Sequence, residues 1–513
     1  MVVMVHTPTL LRSRDVTVAP SRAPVRRIAA VAPVGLLAVV VGALAFAIRL
    51  GVELRGGGLA GMGGYDDGVY YAAGDALVHG RIPYADFLLL HPPGVALAAA
   101  PFAAFGAVTS DPAGLVAARL AFELVGGANA ALVVLILRRF GWAAALTGGV
   151  LYAVLPPAVW AERSVLLEPL GTLGVLLAVL LLQRTTTGRG ALLAGIAAGW
   201  AADVKIWYVV PLAVLALCTP GMRRRVRFAV GAALAVAVVW GPSLLAAPQA
   251  MLREVVLDQL GRPRQPGLVH RLTGILGAHA AAGLHLRTVT LLLAAAVAVA
   301  VVLTLLTREA RVFAVLLLAD VAVLLLSPSW FRHYGGLTAP PLALCVGVGV
   351  QRVVRLLPAR PALPALVASG AAAALLLAGL HLDDRIRSGF AVPAAFSAAV
   401  VRTPGCITSD DPTVLAATGV LSRDLADPRC SVWPDVTGWT YDRADVRLPG
   451  GRPVPRQRNA VWQHLVLDHL RSGDATIPIR RSTGLSAQSR AVLAEEPPLV
   501  QVGRFVLRPT GRR

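Results

Sequence analysis

The chain has 513 residues, of which 56% are hydrophobic and only 15% are charged, whereas soluble globular domains carry about 25% charged residues. One water-soluble core cannot bury so much apolar surface, which argues against a soluble enzyme, a disordered chain and a disulfide scaffold. The formal charge of +20 would suggest nucleic acid for a soluble protein. Here the arginines stand between apolar runs, where they act as topology signals, and no nucleic-acid partner is expected.

The apolar segments predict an α-helical polytopic membrane protein with about eleven transmembrane helices. The polar N-terminal tail, 1–27, precedes the first apolar run. That run is long for a signal peptide and ends in a poor cleavage site, so we expect an uncleaved span. Residues 94–108 are apolar but short and predict an interfacial helix. The predicted spans are approximately 28–50, 114–137, 141–160, 166–183, 190–203, 206–218, 228–246, 288–307, 311–327, 337–351 and 362–382.

The basic residues between the spans predict the orientation. If the N-terminus is cytoplasmic, five short arginine-bearing loops all fall on the cytoplasmic side, as the positive-inside rule requires. We therefore expect a multi-pass protein of the cell membrane with long outer loops at 51–113 and 247–287. The loop 247–287 could cover a site or be only a solvated surface. The tail 383–513 alternates Val, Ile and Thr clusters with Pro, Gly and Asp, which predicts a small extracytoplasmic α/β domain.

The first outer loop carries the densest polar cluster. Asp66 and Asp67 stand side by side just outside the membrane, flanked by Tyr65 and Tyr70 and followed by His91. Adjacent carboxylates suit removal of a proton from a hydroxyl, or binding of a divalent cation. The alternative is a simple turn, because Gly and Asp are common in turns. The surrounding aromatic and polar residues favour a site.

Two further outer segments carry candidate residues. Glu168 lies at or below the outer membrane surface, where a carboxylate is costly and functional by default. The alternative is a surface pair of Glu162 and Arg163 beside an ordinary helix start. Lys205, the only lysine, stands at the outer end of a span against the positive-inside trend and suits a phosphate. Its alternative is a pair with Asp203.

The segment Arg332-His333-Tyr334 lies in a short outer loop. Arg332 is again a cation on the unfavoured side, and with His333 it could clamp an anionic head group. The alternative is an aromatic belt with a snorkelling arginine. Within the second span, Arg119 and Glu123 are four residues apart and are interpreted as a structural intramembrane pair.

The order of these motifs resembles the GT-C membrane glycosyltransferases, which include protein O-mannosyltransferases, lipid A aminoarabinose transferases and actinobacterial mannosyl- and arabinosyltransferases. The resemblance covers roughly 28–382. The chain departs from the family pattern at two positions. Many members have Lys or Tyr where His91 stands, and often Asp where Glu168 stands. The matching motifs, in order, are Asp66-Asp67, His91-Pro92-Pro93-Gly94, Ala118-Arg119-Leu120, Arg138-Arg139, Leu166-Leu167-Glu168-Pro169, Lys205, and Arg332-His333-Tyr334 with Pro340-Pro341.

The resemblance implies a GT-C catalytic domain at 28–382 that moves a sugar from a polyprenyl-phosphate donor to a glycan, lipid or protein acceptor of the cell envelope. Transfer would occur at the outer face, among membrane lipid, by inverting displacement with a carboxylate base. Of the two adjacent aspartates, the resemblance favours Asp66 as the base, and a divalent cation at Asp66 and Asp67 is left open. The expected catalytic residues are Asp66, Asp67 and Glu168; the donor-phosphate ligands are Lys205, Arg332 and His333; the substrate-binding residues are Tyr65, Tyr70, His91, Arg163 and Tyr334.

Two non-enzymatic readings compete with this one. A transporter or flippase of lipid-linked sugars would place polar residues at mid-membrane in broken helices, whereas the polar clusters here stand at outer ends. A cell-wall scaffold whose tail binds a partner is the third possibility.

The cysteines give a separate prediction. Cys406 and Cys430 are the only cysteines outside the apolar spans, and the topology places them in an oxidising compartment. They are expected to form a disulfide, the alternative being two buried thiols. Cys218 and Cys345 lie in spans and should stay reduced.

Overall fold

The computed structural model describes residues 23–265, 267–278, 286–356, 370, 389–480 and 484–511. The predicted span at 362–382 and most of the N-terminal tail lie outside these residues. In the described chain, α-helices dominate as far as Val354, and the first of the four strands begins at Ile407.

The helices before residue 360 follow the apolar runs. They are Ala23–Arg55, Asp66–Val78, Gly94–Val108, Asp111–Leu137, Trp142–Val154, Pro156–Glu162, Glu168–Arg184, Gly188–Val204, Val209–Cys218, Met222–Ala246, Pro248–Leu252, Asp258–Leu260, Leu268–Leu276, Leu286–Leu305, Arg311–Leu326 and Ala339–Val354. Short non-α turns at Ile206–Tyr208, Arg253–Leu257, Arg308–Ala310 and Arg332–Gly336 connect or interrupt them.

Five helical segments in the described chain are long and apolar enough to cross a membrane. The bent pair Trp142–Val154 and Pro156–Glu162, with an angle of 57° between its halves, is a possible sixth crossing. Several other predicted spans correspond to helices of 10 to 17 residues, so the count of eleven stays a prediction. Gly94–Val108 has 15 residues, fewer than the roughly 20 that a perpendicular crossing requires. The five segments are Gly35–Arg55, Asp111–Leu137, Met222–Ala246, Leu286–Leu305 and Arg332–Val354.

Small residues allow these helices to approach closely. A Cβ atom added at Gly195 would lie 1.9 Å from the carbonyl oxygen of Phe228, and one at Gly231 would lie 2.1 Å from that of Leu192. Helices Gly188–Val204 and Met222–Ala246 therefore pack backbone against backbone. Such contacts are typical of helix pairs in membranes, where van der Waals packing rather than water drives association.

The C-terminal part forms a four-stranded sheet with helices around it. The strands are β1 (Ile407–Ser409), β2 (Ala475–Ile477), β3 (Val500–Val502) and β4 (Phe505–Pro509), in the order β1-β2-β4-β3. β1 and β2 are parallel, and the other two pairs are antiparallel. The associated helices are Ala394–Arg402, Pro412–Thr418, Leu421–Ala426, Ala460–Arg471 and Ala487–Leu493, with short turns at Gly438–Thr440 and Arg456–Arg458.

The predicted disulfide between Cys406 and Cys430 is present, and Cys218 and Cys345 are free. The bond joins the residue just before β1 to the loop after Leu421–Ala426.

The sheet packs directly on the segment 51–113, which the sequence predicts to be the first outer loop. Ile407 and Leu507 of the sheet belong to the same buried apolar cluster as Tyr71 and Val95 of that loop. Ser422 adds polar contacts, because its hydroxyl oxygen lies 3.0 Å from a carboxylate oxygen of Asp75 and 2.5 Å from one of Asp111. The C-terminal part is therefore held against the loop that carries the predicted acidic motif. Its side of the membrane stays a prediction.

Candidate active site

A pocket of about 210 Å³ opens where the first outer loop, the loop 247–287 and the C-terminal part meet. It brings together residues that are far apart in sequence. Six of the residues singled out in the sequence line it: Tyr65, Asp66, Tyr70, His91, His333 and Tyr334. The other five predicted site residues, Asp67, Arg163, Glu168, Lys205 and Arg332, are not among its lining residues.

Asp66 is the carboxylate of the acidic motif that faces the pocket. It begins the helix Asp66–Val78, and its side chain keeps 41% of its surface exposed. Its Oδ2 lies 3.9 Å from Nδ1 of His333. The site lies deep in the protein, and burial raises the pKa of Asp66; nearby His333 opposes this rise, whereas Asp435 adds to it. A reachable carboxylate with a raised pKa is suited to accept a proton.

Asp67, the next residue, has a different environment. It is 1% exposed and forms an ion pair with Arg119, and the hydroxyl of Ser164 donates to its Oδ2 at 2.9 Å. Arg119 also lies 3.9 Å from Glu53. The predicted ion pair of Arg119 with Glu123 is wrong, because Arg119 pairs with Asp67 instead. Neither carboxylate oxygen of Glu123 accepts a hydrogen bond from the described residues.

Glu168 and Lys205 are bonded to each other beside the pocket. Nζ of Lys205 lies 2.5 Å from Oε1 of Glu168, and the two side chains are 4% and 1% exposed. The same ammonium lies 4.1 Å from the centre of the Tyr334 ring, which lines the pocket. Lys205 therefore pairs with Glu168 rather than with Asp203, and it approaches the pocket through Tyr334.

Arg163 and Arg332 share one aromatic partner. Their guanidinium carbons lie 3.8 Å and 4.7 Å from the centre of the Trp160 ring. Arg163 also lies 3.9 Å from Glu53. The two cations thus flank Trp160.

Tyr70 and His91 form part of the pocket wall. Their rings meet edge to face with centres 5.7 Å apart. Burial lowers the pKa of His91 well below its ordinary value, so the imidazole is neutral near pH 7. Its Nδ1 has no hydrogen-bond partner in the described chain, which leaves it available to a substrate hydroxyl.

Arg262 is a pocket residue that the sequence did not single out. It is 9% exposed, and its Nη1 donates to the hydroxyl of Tyr334 at 3.2 Å. Its Nε is buried without a hydrogen-bond partner among the described residues, although a buried donor normally has one. An anion in the pocket would satisfy this group. The argument applied to Lys205, a cation on the predicted outer side, would have identified Arg262 as well.

The C-terminal part supplies the second group of missed residues. The hydroxyl of Tyr65 donates to Asp435 at 3.0 Å and accepts from the backbone N–H of Thr437 at 2.8 Å. The guanidinium of Arg480 lies 4.1 Å from the centre of the Tyr65 ring and pairs with Asp411 at 3.0 Å. These contacts fix Tyr65, the neighbour of Asp66, from the side of the C-terminal part.

The acidic motif does not offer two free carboxylates to a cation. Asp66 lines the pocket, whereas Oδ2 of Asp67 accepts from Arg119 and Ser164. In the described ranges, the only cluster of three potential metal ligands is Cys406, Asp427 and Cys430, whose sulfurs are joined in the disulfide.

No protein-family model matches the chain, and no curated protein matches it. Solved structures do match its fold. ArnT from Cupriavidus metallidurans, bound to undecaprenyl phosphate, superposes with a TM-score of 0.58 at 15% identity, covering 92% of this chain and 98% of that one. The oligosaccharyltransferase of Archaeoglobus fulgidus, in complex with Zn and sulfate, gives 0.52 at 12% identity, covering 85% and 67%. Identities this low establish the fold alone. The chain has the fold of the GT-C glycosyltransferases, as the motif order predicted.

Proposed function

We propose that this protein is a membrane glycosyltransferase that moves a sugar from a polyprenyl-phosphate donor to an acceptor of the cell envelope at the outer face of the membrane. One observation carries the proposal: Asp66 lines the same pocket as Arg262, whose guanidinium Nε has no hydrogen-bond partner among the described residues. The structural neighbours support the donor class, since ArnT is bound to undecaprenyl phosphate and the archaeal oligosaccharyltransferase AglB to a dolichol-phosphate with an inhibitory peptide.

The reaction is a single displacement. An acceptor hydroxyl oxygen attacks the anomeric carbon of the donor sugar, and the bond between that carbon and the phosphate oxygen breaks. Asp66 takes the hydroxyl proton, and the polyprenyl phosphate leaves with the bonding electron pair. Attack opposite the leaving group inverts the anomeric configuration. Asp66 is the general base, and the cations of the site stabilise the charge that develops on the phosphate.

The cations divide into two groups around the phosphate. Arg262 is the cation that reaches the pocket directly, and the imidazole of His333 lies beside Asp66 as a hydrogen-bonding group. Lys205 adds positive charge from behind Tyr334, and Arg332 lies at Trp160. Arginine suits a phosphate because its planar donors match the phosphate oxygens. We assign phosphate binding to Arg262 first, support of the same charge to Lys205 and Arg332, and a hydrogen bond to the phosphate to His333.

The test uses the full-length protein in lipid nanodiscs with radiolabelled polyprenyl-phosphate hexoses and pentoses and cell-envelope extracts as acceptors. Asp66→Asn should lower turnover by about 100-fold or more, the usual contribution of a general base, while undecaprenyl-phosphate binding persists. Arg262→Ala should weaken donor binding. Asp468→Asn, which alters a carboxylate that is 64% exposed, is the matched control and should leave both unchanged.

Near-normal transfer by Asp66→Asn would contradict the assignment of the base. Movement of the labelled lipid across a vesicle membrane that contains the protein, without sugar transfer, would favour the transporter instead.

A further inference from the structure

A second cavity, of about 200 Å³, lies beside the active pocket. Three segments form it: residues 84–88 of the first outer loop, residues between 250 and 254, and residues between 433 and 443 of the C-terminal part. We call it the side cleft. The reaction proposed above uses none of its residues.

The side cleft has aromatic walls and unused polar atoms. The rings of Trp433 and Trp439 have centres 5.2 Å apart and are tilted by 49°, and Phe87 is buried in the opposite segment. The indole Nε1 of Trp439 is buried with no hydrogen-bond partner in the part of the chain that the structure describes. Aromatic faces pack against the C–H faces of sugar rings, and an N–H at their edge can donate to a sugar hydroxyl.

The charge of the side cleft distinguishes its ligand from the donor phosphate. Arg253 and Asp442 form an ion pair at 2.8 Å, which links the loop 247–287 to the C-terminal part. With Glu254 protonated near pH 7, three carboxylates remain against two arginines, so the cleft does not attract a phosphate and suits a neutral ligand rich in hydroxyls. Burial also raises the pKa of Glu254 to about 8, so it can donate a hydrogen bond near pH 7. The charged lining residues are Asp86, Glu254, Asp435 and Asp442 against Arg253 and Arg443.

Two residues join the side cleft to the active pocket. Asp435 lines both cavities. Tyr84 lines the cleft, and its hydroxyl donates at 2.7 Å to the backbone carbonyl of His91, which lines the pocket. Tyr84 has a φ of 70°, and no other non-glycine residue in the described chain has a positive φ. A bulky residue in this region is strained, and such strain persists where the surrounding structure imposes it, often at ligand sites.

We propose that the side cleft binds a neutral saccharide unit of the acceptor, so that the acceptor is a glycan whose next hydroxyl reaches Asp66 in the adjoining pocket. This inference rests on the proposed function. Trp433 and Trp439 hold the sugar ring, Asp442 and Trp439 Nε1 bond its hydroxyls, and Asp435 lies at the passage between the two cavities.

Direct binding tests the cleft without turnover. The full-length protein in nanodiscs is titrated by calorimetry with neutral mannose and arabinose oligosaccharides of two to six sugars. Trp439→Ala should bind them at least about tenfold more weakly than wild type, because it removes the stacking face. Asp442→Asn, a milder change, should also weaken binding. Trp142→Ala is the matched control, because Trp142 is 45% exposed and lines neither cavity.

Binding of undecaprenyl phosphate is measured in the same variants and should stay at the wild-type level, which also shows that the variants are folded. Equal oligosaccharide affinity in wild type, Trp439→Ala and Asp442→Asn would overturn the proposal. So would competition for the cleft by an acidic peptide or by the lipid phosphate, or transfer to membrane acceptors by a wild-type protein that binds no oligosaccharide. In the last case the proposed transferase activity stands and the cleft assignment alone fails. Normal transfer by Asp66→Asn would count against the proposed transferase reaction and would leave the cleft assignment untouched.

Discussion

Lys205 and Glu168 form a buried ion pair at 2.5 Å, and the same ammonium lies 4.1 Å from the centre of the Tyr334 ring in the pocket wall. Glu168 is the first residue of the helix Glu168–Arg184, and Lys205 directly follows the helix Gly188–Val204. The two residues are 37 positions apart. A buried pair is weak evidence for stability, because both charges lose water. Lys205 therefore has two candidate roles: it neutralises Glu168, and it adds positive charge beside the pocket.

A double replacement separates these two roles. Lys205→Met alone leaves the Glu168 charge unpaired and should reduce both stability and transfer. The double variant Lys205→Met/Glu168→Gln removes both charges and should recover most of the stability. If Lys205 supports the donor phosphate, the double variant still shows a raised donor KM in the nanodisc transfer assay. Full recovery of donor KM in the double variant would limit Lys205 to the pairing of Glu168.

The two carboxylates of the acidic motif should respond in opposite ways. Asp67→Asn leaves the buried charge of Arg119 without its closest partner, and breaking a buried pair costs about 3–5 kcal/mol. Asp66→Asn changes a side chain that is 41% exposed and should leave thermal stability unchanged while transfer is lost. Thermal unfolding in nanodiscs, with transfer rates for the same preparations, checks both. A stable Asp67→Asn variant that is inactive, beside an active Asp66→Asn variant, would reverse the assignment.

The sequence predicted the acidic motif and its aromatic neighbours because Tyr65, Asp66 and Tyr70 lie on one short segment. His91 and Tyr334 were predicted from the order of the motifs along the chain. The family resemblance favoured Asp66 as the base, but the residues alone did not distinguish Asp66 from Asp67. That difference depends on Arg119, which reaches Asp67 from another helix. A same-helix spacing of four residues favoured Glu123 as the partner, whereas the fully buried Arg119 pairs with Asp67 of another helix.

The C-terminal contribution to the site was beyond sequence reasoning for a similar reason. Asp435 and Arg480 line the pocket and also contact Tyr65, which precedes Asp435 by 370 positions. Nothing in their local sequence differs from an ordinary turn or strand end. Only the packing of the sheet on the first outer loop reveals them. Arg262 differs, because its charge on the predicted outer side was a usable signal.

The disulfide provides a test of topology as well as of stability. The bond between Cys406 and Cys430 spans 24 positions, and removing it should lower the free energy of unfolding by about 3 kcal/mol in the chain-entropy model. Cys406→Ser/Cys430→Ser should therefore unfold at a lower temperature than Cys218→Ser, the control for loss of a free thiol. Mass spectrometry of alkylated, unreduced protein should show the two cysteines linked. Alkylation of both would contradict the bond and the extracytoplasmic placement of the tail.

The contact of Ser422 with Asp75 predicts how pH affects stability. Burial raises the pKa of Asp75 to about 7 in the folded protein, with Asp111 adding to the shift, from an ordinary value of 3.8. The folded state thus binds this proton more tightly, so its stabilising contribution is complete below pH 3.8 and is lost as pH rises through about 7.

Asp75→Asn keeps an oxygen for Ser422 but cannot ionise. It should raise stability at pH 8 by about 2–4 kcal/mol and flatten the decline of the melting temperature between pH 4 and 8, as followed by thermal unfolding. Asp468→Asn, which alters an exposed carboxylate, should keep the wild-type profile. An unchanged slope in Asp75→Asn would show that Asp75 ionises normally at this junction.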